Sequence, residues 1–297
     1  MSNSIKKSYL INLIKILPTV IYLSIIGIFY TLIPNKWKLK KNVKGKVVLI
    51  TGAGQGLGRL YALRFADLQC KLILWDINED NLKEVVNECK LKNTHVDYQI
   101  VDISYKEKIY QSAKKILDEY GFVDILINNA GVLFGKEFLQ LSDDNFELTL
   151  KVNTISHWYI LKAFLPIMIQ KNEGHIVSMC SISSFIGTPW GIDYTVSKFG
   201  AIGMMEGIRN ELKMKGITGI KTTCVAPIFT NTQMIENFKI CKGVEILSPK
   251  YVVDEAMDAI LTEQPIIIIP RLLYYLYFLK GILPTTAFDY IVINSLT

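Results

Sequence analysis

Residues 47–58 read Val-Val-Leu-Ile-Thr-Gly-Ala-Gly-Gln-Gly-Leu-Gly, and this stretch decides the fold. Its apolar start indicates a buried strand, the glycines indicate a tight turn, and the spaced apolar residues between positions 60 and 68 indicate a helix. In such a unit the backbone can approach a pyrophosphate, and the helix N-terminus offers free N–H groups to it. The segment therefore predicts a dinucleotide site, with the following cofactor-binding residues: Gly52, Gly54, Gln55, Gly56, Leu57 and Gly58.

The same alternation of strand and helix continues along the chain. We expect strands near residues 46–51, 71–76, 96–101, 123–128, 174–180, 219–225 and 266–269. Strands that alternate with helices imply a parallel sheet covered on both faces, which is a doubly wound, Rossmann-type α/β fold of about seven strands. We expect one such domain over residues 44–270, between an N-terminal segment, 1–43, and a C-terminal tail, 271–297.

Asp76 ends the second predicted strand, and its carboxylate suits the ribose hydroxyls of an adenosine. It would repel a 2′-phosphate, and no basic residue follows it directly, so NAD(H) is favoured. NADP(H) remains the alternative, because Arg59 stands in the neighbouring loop. Asp76 can also be a simple strand-end cap.

Tyr194 and Lys198 stand four positions apart, which places them on one face of a helix. An ammonium beside a phenol favours the phenolate, so we expect Lys198 to lower the pKa of Tyr194 toward neutrality. A phenol with such a pKa is a general acid and base at physiological pH. The spacing alone also fits a solvated helix face, but Ser181 lies upstream, after the strand-like residues 174–180.

Together with Asn128-Asn129-Ala130-Gly131 and Asn153, these motifs resemble the short-chain dehydrogenase/reductase family over roughly residues 44–270. The resemblance implies four catalytic residues: Asn153, Ser181, Tyr194 and Lys198. It implies further cofactor contacts at Asp102, Ile103, Asn129, Ala130, Gly131, Tyr194, Lys198, Pro227 and Thr232. Asn128 fits a structural and a functional role equally, and Ile228 replaces the glycine that the family usually has after the proline.

The chain ends and residues 75–78 and 227–232 resemble one branch of that family. It contains the membrane-bound epidermal retinol dehydrogenases and the lipid-droplet 17β-hydroxysteroid dehydrogenases. The resemblance implies an NAD(P)-dependent oxidoreductase that acts on the CH–OH group of a lipophilic alcohol, or on its carbonyl counterpart: a retinoid, steroid or other lipid. It also implies a homodimer and a substrate lid over residues 228–250. The alternatives are a fatty acyl or sphingoid ketone reductase and a non-catalytic, cofactor-binding scaffold on lipid droplets.

Residues 16–34 carry no charge, and in a helix they would span about 28 Å, close to the thickness of a bilayer core. They predict an uncleaved N-terminal membrane-anchor helix, with a cleaved signal peptide, a hairpin and an in-plane helix as rival interpretations. The lysines that follow favour a catalytic domain in the cytosol, at the endoplasmic reticulum membrane and/or lipid droplets. The apolar run of the C-terminal tail is too short to span a membrane. It suits a place in the core, a dimer contact or a surface that dips into lipid.

Charge and metal-ligand content narrow the function classes. The net charge of +6 comes from 33 basic and 27 acidic residues spread along the chain, so we expect no nucleic-acid partner. The 3 histidines lack metal-ligand spacing, so we expect no metal. The 5 cysteines are odd in number, contain no Cys-x-x-Cys motif and suit reduced, packed side chains. We expect Cys180 to point away from the strand face that Ser181 occupies.

Overall fold

The computed structural model of the chain describes residues 3–33, 37–236, 238 and 245–296. The predicted lid spans residues 228–250, of which 237 and 239–244, including Cys241, lie outside the described residues. The chain divides into two compact units, residues 1–40 and residues 41–297.

The first unit consists mainly of a 30-residue helix, α1 (Asn3–Leu32), with Pro18 inside it. Its apolar side chains are exposed over the described positions, among them Ile21, Ile25 and Phe29 at 51%, 62% and 67%. No helix within the described residues is both long and apolar enough to cross a membrane.

The second unit alternates strands and helices, as the sequence predicts. Its strands are β1 (Val47–Thr51), β2 (Lys71–Asp76), β3 (Val96–Ile100), β4 (Ile125–Asn128), β5 (Gly174–Met179), β6 (Ile220–Pro227) and β7 (Ile266–Ile269). Its helices are α2 (Gly56–Asp67), α3 (Glu79–Lys90), α4 (Lys106–Tyr120), α5 (Asp143–Leu150), α6 (Ser156–Lys171), α7 (Ile192–Met214), α8 (Pro249–Leu261), α9 (Leu273–Ile282) and α10 (Thr285–Leu296).

The seven strands form one parallel sheet in the order β3-β2-β1-β4-β5-β6-β7. This confirms the predicted doubly wound α/β fold. The strand order reverses between β1 and β4, where the chain leaves the sheet toward opposite sides. A crevice opens at the carboxyl ends of the strands at such a point, and ligands of open α/β sheets bind there.

Alternate side chains of the buried strands pack into two cores, one on each face of the sheet. Val48 and Ile50 face a core that includes Tyr61 and Phe65 of α2. Leu49 faces the other core, where the rings of Trp75 and Phe164 lie 6.2 Å apart. Burial of each large apolar side chain contributes about 2 kcal/mol to folding. This double burial explains why strands such as β1 and β7 read as continuous apolar runs.

The described cysteines are packed as small core residues, as the sequence suggests. They are free thiols and all are buried: Cys70, Cys89, Cys180 and Cys224. Burial raises the pKa of the Cys70 and Cys89 thiols to about 12, so both are inert at neutral pH.

The C-terminal helices α9 and α10 belong to the second unit. Phe288 of α10 is buried in the core that contains Trp75, and Tyr277 of α9 packs on Phe185 with ring centroids 4.7 Å apart. The other side of α9 is apolar and exposed at Tyr275 and Phe278. The tail therefore contributes to the core and also presents an uncovered apolar face.

Candidate active site

Asn129 ties the glycine-rich turn after β1 to the end of β4. Its backbone N–H donates to Thr51 Oγ1 at 3.0 Å, and its Nδ2 donates to the carbonyl oxygens of Thr51 and Gly52 at 2.9 and 3.0 Å. Gly52 has a φ of +64°, and a Cβ atom there would lie 2.7 Å from the Cα of Ala130. Only glycine allows this conformation and this approach. The two strand ends on either side of the reversal therefore form one continuous surface.

The start of α2 suits a pyrophosphate. Gln55 is the N-cap residue, and its side chain makes no capping hydrogen bond. The first N–H groups of the helix therefore lack a side-chain acceptor, and the positive end of the helix dipole lies at the same place. Thr232 approaches from the opposite side, since a Cβ on Gly56 would lie 3.6 Å from its Cγ2. These residues fit the phosphates of a dinucleotide.

Asp76 lies at the end of β2 and faces the same turn. Its Oδ2 accepts the N–H of Gly54 at 2.8 Å, and its Oδ1 accepts the N–H of Asn78 at 2.9 Å. Arg59 donates from Nε and Nη2 to the two carboxylate oxygens of Glu88, at 3.0 and 2.5 Å. Its guanidinium is therefore engaged on α3, which weakens the case for Arg59 as a 2′-phosphate ligand.

A cavity of about 600 Å³ brings most of the predicted site residues together. Its wall includes Gly52, Gln55, Gly56, Leu57, Asp76, Asp102, Ile103, Asn129, Ala130, Gly131, Ser181, Tyr194, Lys198, Pro227 and Thr232. Gly54, Gly58 and Asn153 support this wall from behind. A Cβ on Gly58 would lie 2.0 Å from the carbonyl oxygen of Gly52, so this glycine permits the close contact between α2 and the turn. Asn128 is fully buried on β4, and neither of its amide atoms has a hydrogen-bond partner among the described residues.

Ser181 and Tyr194 converge at one end of the cavity. Ser181 follows β5 and caps a 3₁₀ turn, Ile182–Ser184, by accepting the N–H of Ser183 at 3.1 Å. Tyr194 stands in the first turn of α7, and the Ser181 side chain is close enough to lower the pKa of the Tyr194 phenol. Both residues line the cavity, and their hydroxyl groups are of the kind that holds a substrate oxygen.

The Lys198 ammonium is buried in the same wall. Its Nζ donates to the carbonyl oxygen of Met179 at 2.6 Å and lies 5.3 Å from the centroid of the Tyr194 ring. Burial lowers the pKa of Lys198 from its usual value to about 8. A lysine with this pKa exchanges protons close to neutral pH.

The expected lowering of the Tyr194 pKa by Lys198 is wrong for the structure as it stands. Burial penalises the phenolate and raises the pKa of Tyr194, and this effect outweighs that of the nearby Ser181 side chain, which lowers the pKa. The Lys198 ammonium donates to Met179 rather than to the phenol. Four-residue spacing brought the two side chains to one helix face, but it carried no information about desolvation.

Asn153 lies in a π-helical turn, Lys151–Ile155, which joins α5 to α6. Helix α5 begins after Ser142, whose Oγ caps it by accepting the N–H of Asn145 at 3.3 Å. Asn153 Oδ1 accepts the N–H of Val132 at 2.8 Å, and its Nδ2 donates to the Val132 carbonyl oxygen and to Ser197 Oγ at 2.9 and 3.0 Å. The π turn therefore joins the strand end after β4 to the helix that carries Tyr194.

The remaining part of the cavity is apolar. Its wall is formed mainly by Val132, Leu133, Leu148, Val152, Ile182, Phe229, Met234, Ile235 and Phe238, with uncharged polar contributions from Ser183, Thr188, Thr230 and Gln233. Among the described lining residues, the charged side chains are Asp76, Asp102 and Lys198, all of which the sequence had assigned to the cofactor or to catalysis. This half of the cavity therefore suits an uncharged, apolar molecule.

Sequence reasoning missed two features of the site. The first is the Met179 carbonyl that holds Lys198, because a backbone acceptor leaves no mark on the sequence. The second is the aromatic pair Phe229 and Phe238, with ring centroids 5.4 Å apart, of which Phe238 also packs against Gly135. Cys180 is buried in the core, as expected, yet it also lines the cavity.

Metal ligation has no support in the described part of the chain. No group of three or more His, Cys, Asp or Glu side chains is placed there to hold an ion. His157 is buried beside Ser178, with 3.4 Å between Nδ1 and Oγ, and burial lowers its pKa to about 3, so it is neutral.

The buried Lys198 ammonium predicts a pH-dependent stability. The pKa of Lys198 is about 8 in the folded chain and 10.5 in the unfolded chain, so the buried charge destabilises the fold to its full extent below pH 8. This destabilisation is relieved as the pH rises from about 8 to 10.5, where the unfolded chain binds more protons. The change in the free energy of unfolding caused by Lys198→Met should therefore be more positive, that is more stabilising, at pH 7 than at pH 9.5.

Urea unfolding of parent and Lys198→Met at the two pH values measures this difference. Lys90→Met, at an exposed position on α3, is the matched control and should give the same change at both. A Lys198→Met effect that does not vary with pH would contradict the buried ammonium.

Comparison with known proteins places this geometry in a family. A profile of the short chain dehydrogenase family matches residues 46–240. Estradiol 17-beta-dehydrogenase 11 of Homo sapiens is 42% identical over 276 residues, which are 93% of this chain and 91% of that protein. Epidermal retinol dehydrogenase 2 of Mus musculus is 44% identical over 252 residues, 83% of this chain and 81% of that protein.

Solved structures agree with these relatives. A short chain dehydrogenase/reductase from Burkholderia phymatum in complex with NAD superimposes with a TM-score of 0.73 at 25% identity, over 81% of this chain and 94% of that one. A metagenomic short-chain oxidoreductase in complex with NADP superimposes with a TM-score of 0.64 at 26% identity, over 75% of this chain and 93% of that one. With its sheet, its dinucleotide cradle and its relatives all in agreement, the chain belongs to the short-chain dehydrogenase/reductase family and is an NAD(P)-dependent oxidoreductase.

Proposed function

We propose that this oxidoreductase interconverts a lipophilic alcohol and its carbonyl compound, with a retinoid, steroid or other lipid as substrate. The cofactor, when bound, accepts or supplies the hydride at its nicotinamide ring. The protein binds and orients the two reactants and handles the proton.

The apolar half of the cavity carries this proposal. It adjoins the Ser181 and Tyr194 hydroxyls, and its described walls offer apolar side chains such as Leu133, Phe229 and Phe238. A charged substrate would lose its hydration there without gaining an ion pair. The names of the relatives, which refer to estradiol and retinol, agree with a lipophilic alcohol.

Tyr194 is the proposed general base for alcohol oxidation and the general acid for the reverse reaction. Ser181, which lines the same cavity, would hold the substrate oxygen and stabilise charge that develops on it. Because burial raises the pKa of Tyr194, the phenol stays protonated at neutral pH, which suits carbonyl reduction. Oxidation should become faster as the pH rises.

Lys198 and Asn153 are the proposed route for the proton to solvent. With a pKa of about 8, Lys198 can take up and release a proton close to neutral pH. Asn153 would hold a water near Lys198, since a Cβ on Gly131 would lie 3.3 Å from Asn153 Oδ1 and 3.8 Å from Lys198 Nζ. Lys198 would also hydrogen-bond the nicotinamide ribose.

NAD(H) is the proposed cofactor, with NADP(H) as the alternative. Asp76 would accept the adenosine ribose hydroxyls and repel a 2′-phosphate, while Arg59 is held by Glu88. Asp102 and Ile103 would contact the adenine. The ribose side would be contacted by Asn129, Ala130 and Gly131, and the nicotinamide by Pro227 and Thr232. The residues of the glycine-rich turn would hold the pyrophosphate.

The first test is turnover by the purified full chain and by Tyr194→Phe, with all-trans-retinol and a 17β-hydroxysteroid as alcohol substrates and a long-chain ketone as the carbonyl substrate. We expect the parent to reduce NAD⁺ at a higher kcat/KM than NADP⁺. The variant keeps the ring but lacks the acidic proton, so kcat should fall by at least about 10²-fold. NADH titration by fluorescence should give similar Kd values for both proteins.

The outcomes of that assay test the role of Tyr194 and distinguish the proposed function from its alternatives. Comparable turnover by parent and Tyr194→Phe would contradict the role of Tyr194. Faster turnover of a long-chain ketone than of either alcohol would favour the ketone reductase. NADH binding without turnover of retinol, the hydroxysteroid or long-chain ketones would favour the non-catalytic scaffold.

Membrane association through residues 1–43 is a further part of the proposal, at the endoplasmic reticulum or lipid droplets with the catalytic unit in the cytosol. The exposed apolar side chains of α1 support it, and the exposed face of α9 is a second candidate for lipid contact. A site at a lipid surface would receive a substrate already dissolved in lipid.

Flotation with phosphatidylcholine vesicles tests this association. The full chain should float, and Ile21→Lys with Ile25→Lys should reduce the floated fraction several-fold, since both positions are exposed on α1. Leu91→Lys, at an 84% exposed apolar position of the catalytic unit, should float like the parent. Equal flotation of all three proteins would contradict a contact through α1.

Pairing of two copies through α6 and α7 completes the proposal. These helices expose Trp158 at 53% and Val196 at 44%, which are apolar side chains available for a symmetric contact. In detergent, the parent should sediment as a dimer, and Trp158→Glu with Val196→Glu as a monomer. A parent that sediments as a monomer at micromolar concentration would contradict the pairing.

A further inference from the structure

The tail helix α9 contacts the segment that follows Ser181. Lys280 Nζ donates to the carbonyl oxygen of Phe185 at 2.5 Å, and Tyr277 packs on the Phe185 ring. Both tail residues lie beyond residues 46–240, to which the family profile extends. The contact therefore joins the part of the chain that the profile covers, at Phe185, to a tail that it does not cover.

Phe185 closes the turn that fixes Ser181. The Ser181 hydroxyl accepts the N–H of Ser183, and Ser184 Oγ accepts the N–H of Ser181 at 3.2 Å. Phe185 is the C-cap of this Ile182–Ser184 turn, and its own N–H donates to the Ile182 carbonyl oxygen at 3.0 Å. Carbonyl groups at the end of a helical turn lack internal partners, and an ammonium is a strong donor for one of them.

The same ammonium lies against the helix of the catalytic pair. Lys280 Nζ is 5.2 Å from the centroid of the Phe199 ring, within the range of a cation–π contact. Phe199 follows Lys198 directly in α7. One side chain of the tail thus joins the turn after Ser181 to the helix that carries Tyr194 and Lys198.

We propose that Lys280 is a positioning residue, which holds the Ser181 turn against α7 so that the Ser181 and Tyr194 hydroxyls reach one substrate oxygen together. This inference rests on the proposed function. It goes beyond that function, because it assigns the tail a part in catalysis that is separate from any contact with lipid. Small errors in the placement of reacting groups reduce rates strongly, so even a partly exposed contact can matter.

The test compares the full chain with Lys280→Met and Lys280→Arg. Methionine keeps the apolar stem but removes the charge and the donors, while arginine keeps both. We expect kcat for the lipid alcohol to fall about tenfold in Lys280→Met, in line with the loss of one charged hydrogen bond, while KM and the Kd for NADH change less than about twofold. Lys280→Arg should recover most of kcat, and Lys90→Met should behave like the parent.

Hydrogen exchange gives a second readout that does not need turnover. Amides of residues 182–186 should exchange faster in Lys280→Met than in the parent, whereas those of β1 and α2 should not change. Unchanged kcat together with unchanged exchange would overturn the proposal, and so would a kcat loss that Lys280→Arg fails to recover. Faster exchange in a protein whose parent turns over no lipid alcohol would refute the proposed function but leave the contact intact.

Discussion

The contact between the ends of β1 and β4 is the constraint on which the site depends. Asn129 makes three hydrogen bonds to Thr51 and Gly52, and Gly52 approaches Ala130 so closely that no side chain fits between them. These contacts lie where the strand order reverses, so they set both the floor of the crevice and the start of α2. The dinucleotide cradle follows from sheet topology and one asparagine rather than from the glycines alone.

Burial of the reactive groups governs the chemistry. Burial shifts both Lys198 and Tyr194 toward their neutral forms, and the pKa of Lys198 falls to about 8 as a result. A surface-exposed Tyr-Lys pair would avoid the free-energy cost of burying a charge. Its lysine, however, would not exchange protons near neutral pH. The protein thus keeps an unfavourable buried ammonium in the wall of the cavity, beside the proposed general acid and base.

Much of the fold and site was predictable because it depends on local sequence. The seven predicted strands are all present, and the glycine turn and Asp76 lie together in the cavity wall, since those signals arise from neighbouring residues. The effect of Lys198 on Tyr194 was not predictable, because desolvation depends on everything packed around the phenol. The link from Lys280 to Phe185, 95 positions apart, arises only when the tail folds back, and a single sequence carries no sign of it.

Transfer of hydrogen from substrate carbon to cofactor is the most direct test of the central claim. The purified chain would be incubated with NAD⁺ and with retinol or a 17β-hydroxysteroid that carries deuterium on its carbinol carbon, and the reduced cofactor would be weighed by mass spectrometry. Direct hydride transfer predicts NADH that contains one deuterium atom per molecule formed. Unlabelled NADH, or no NADH from either alcohol, would contradict it.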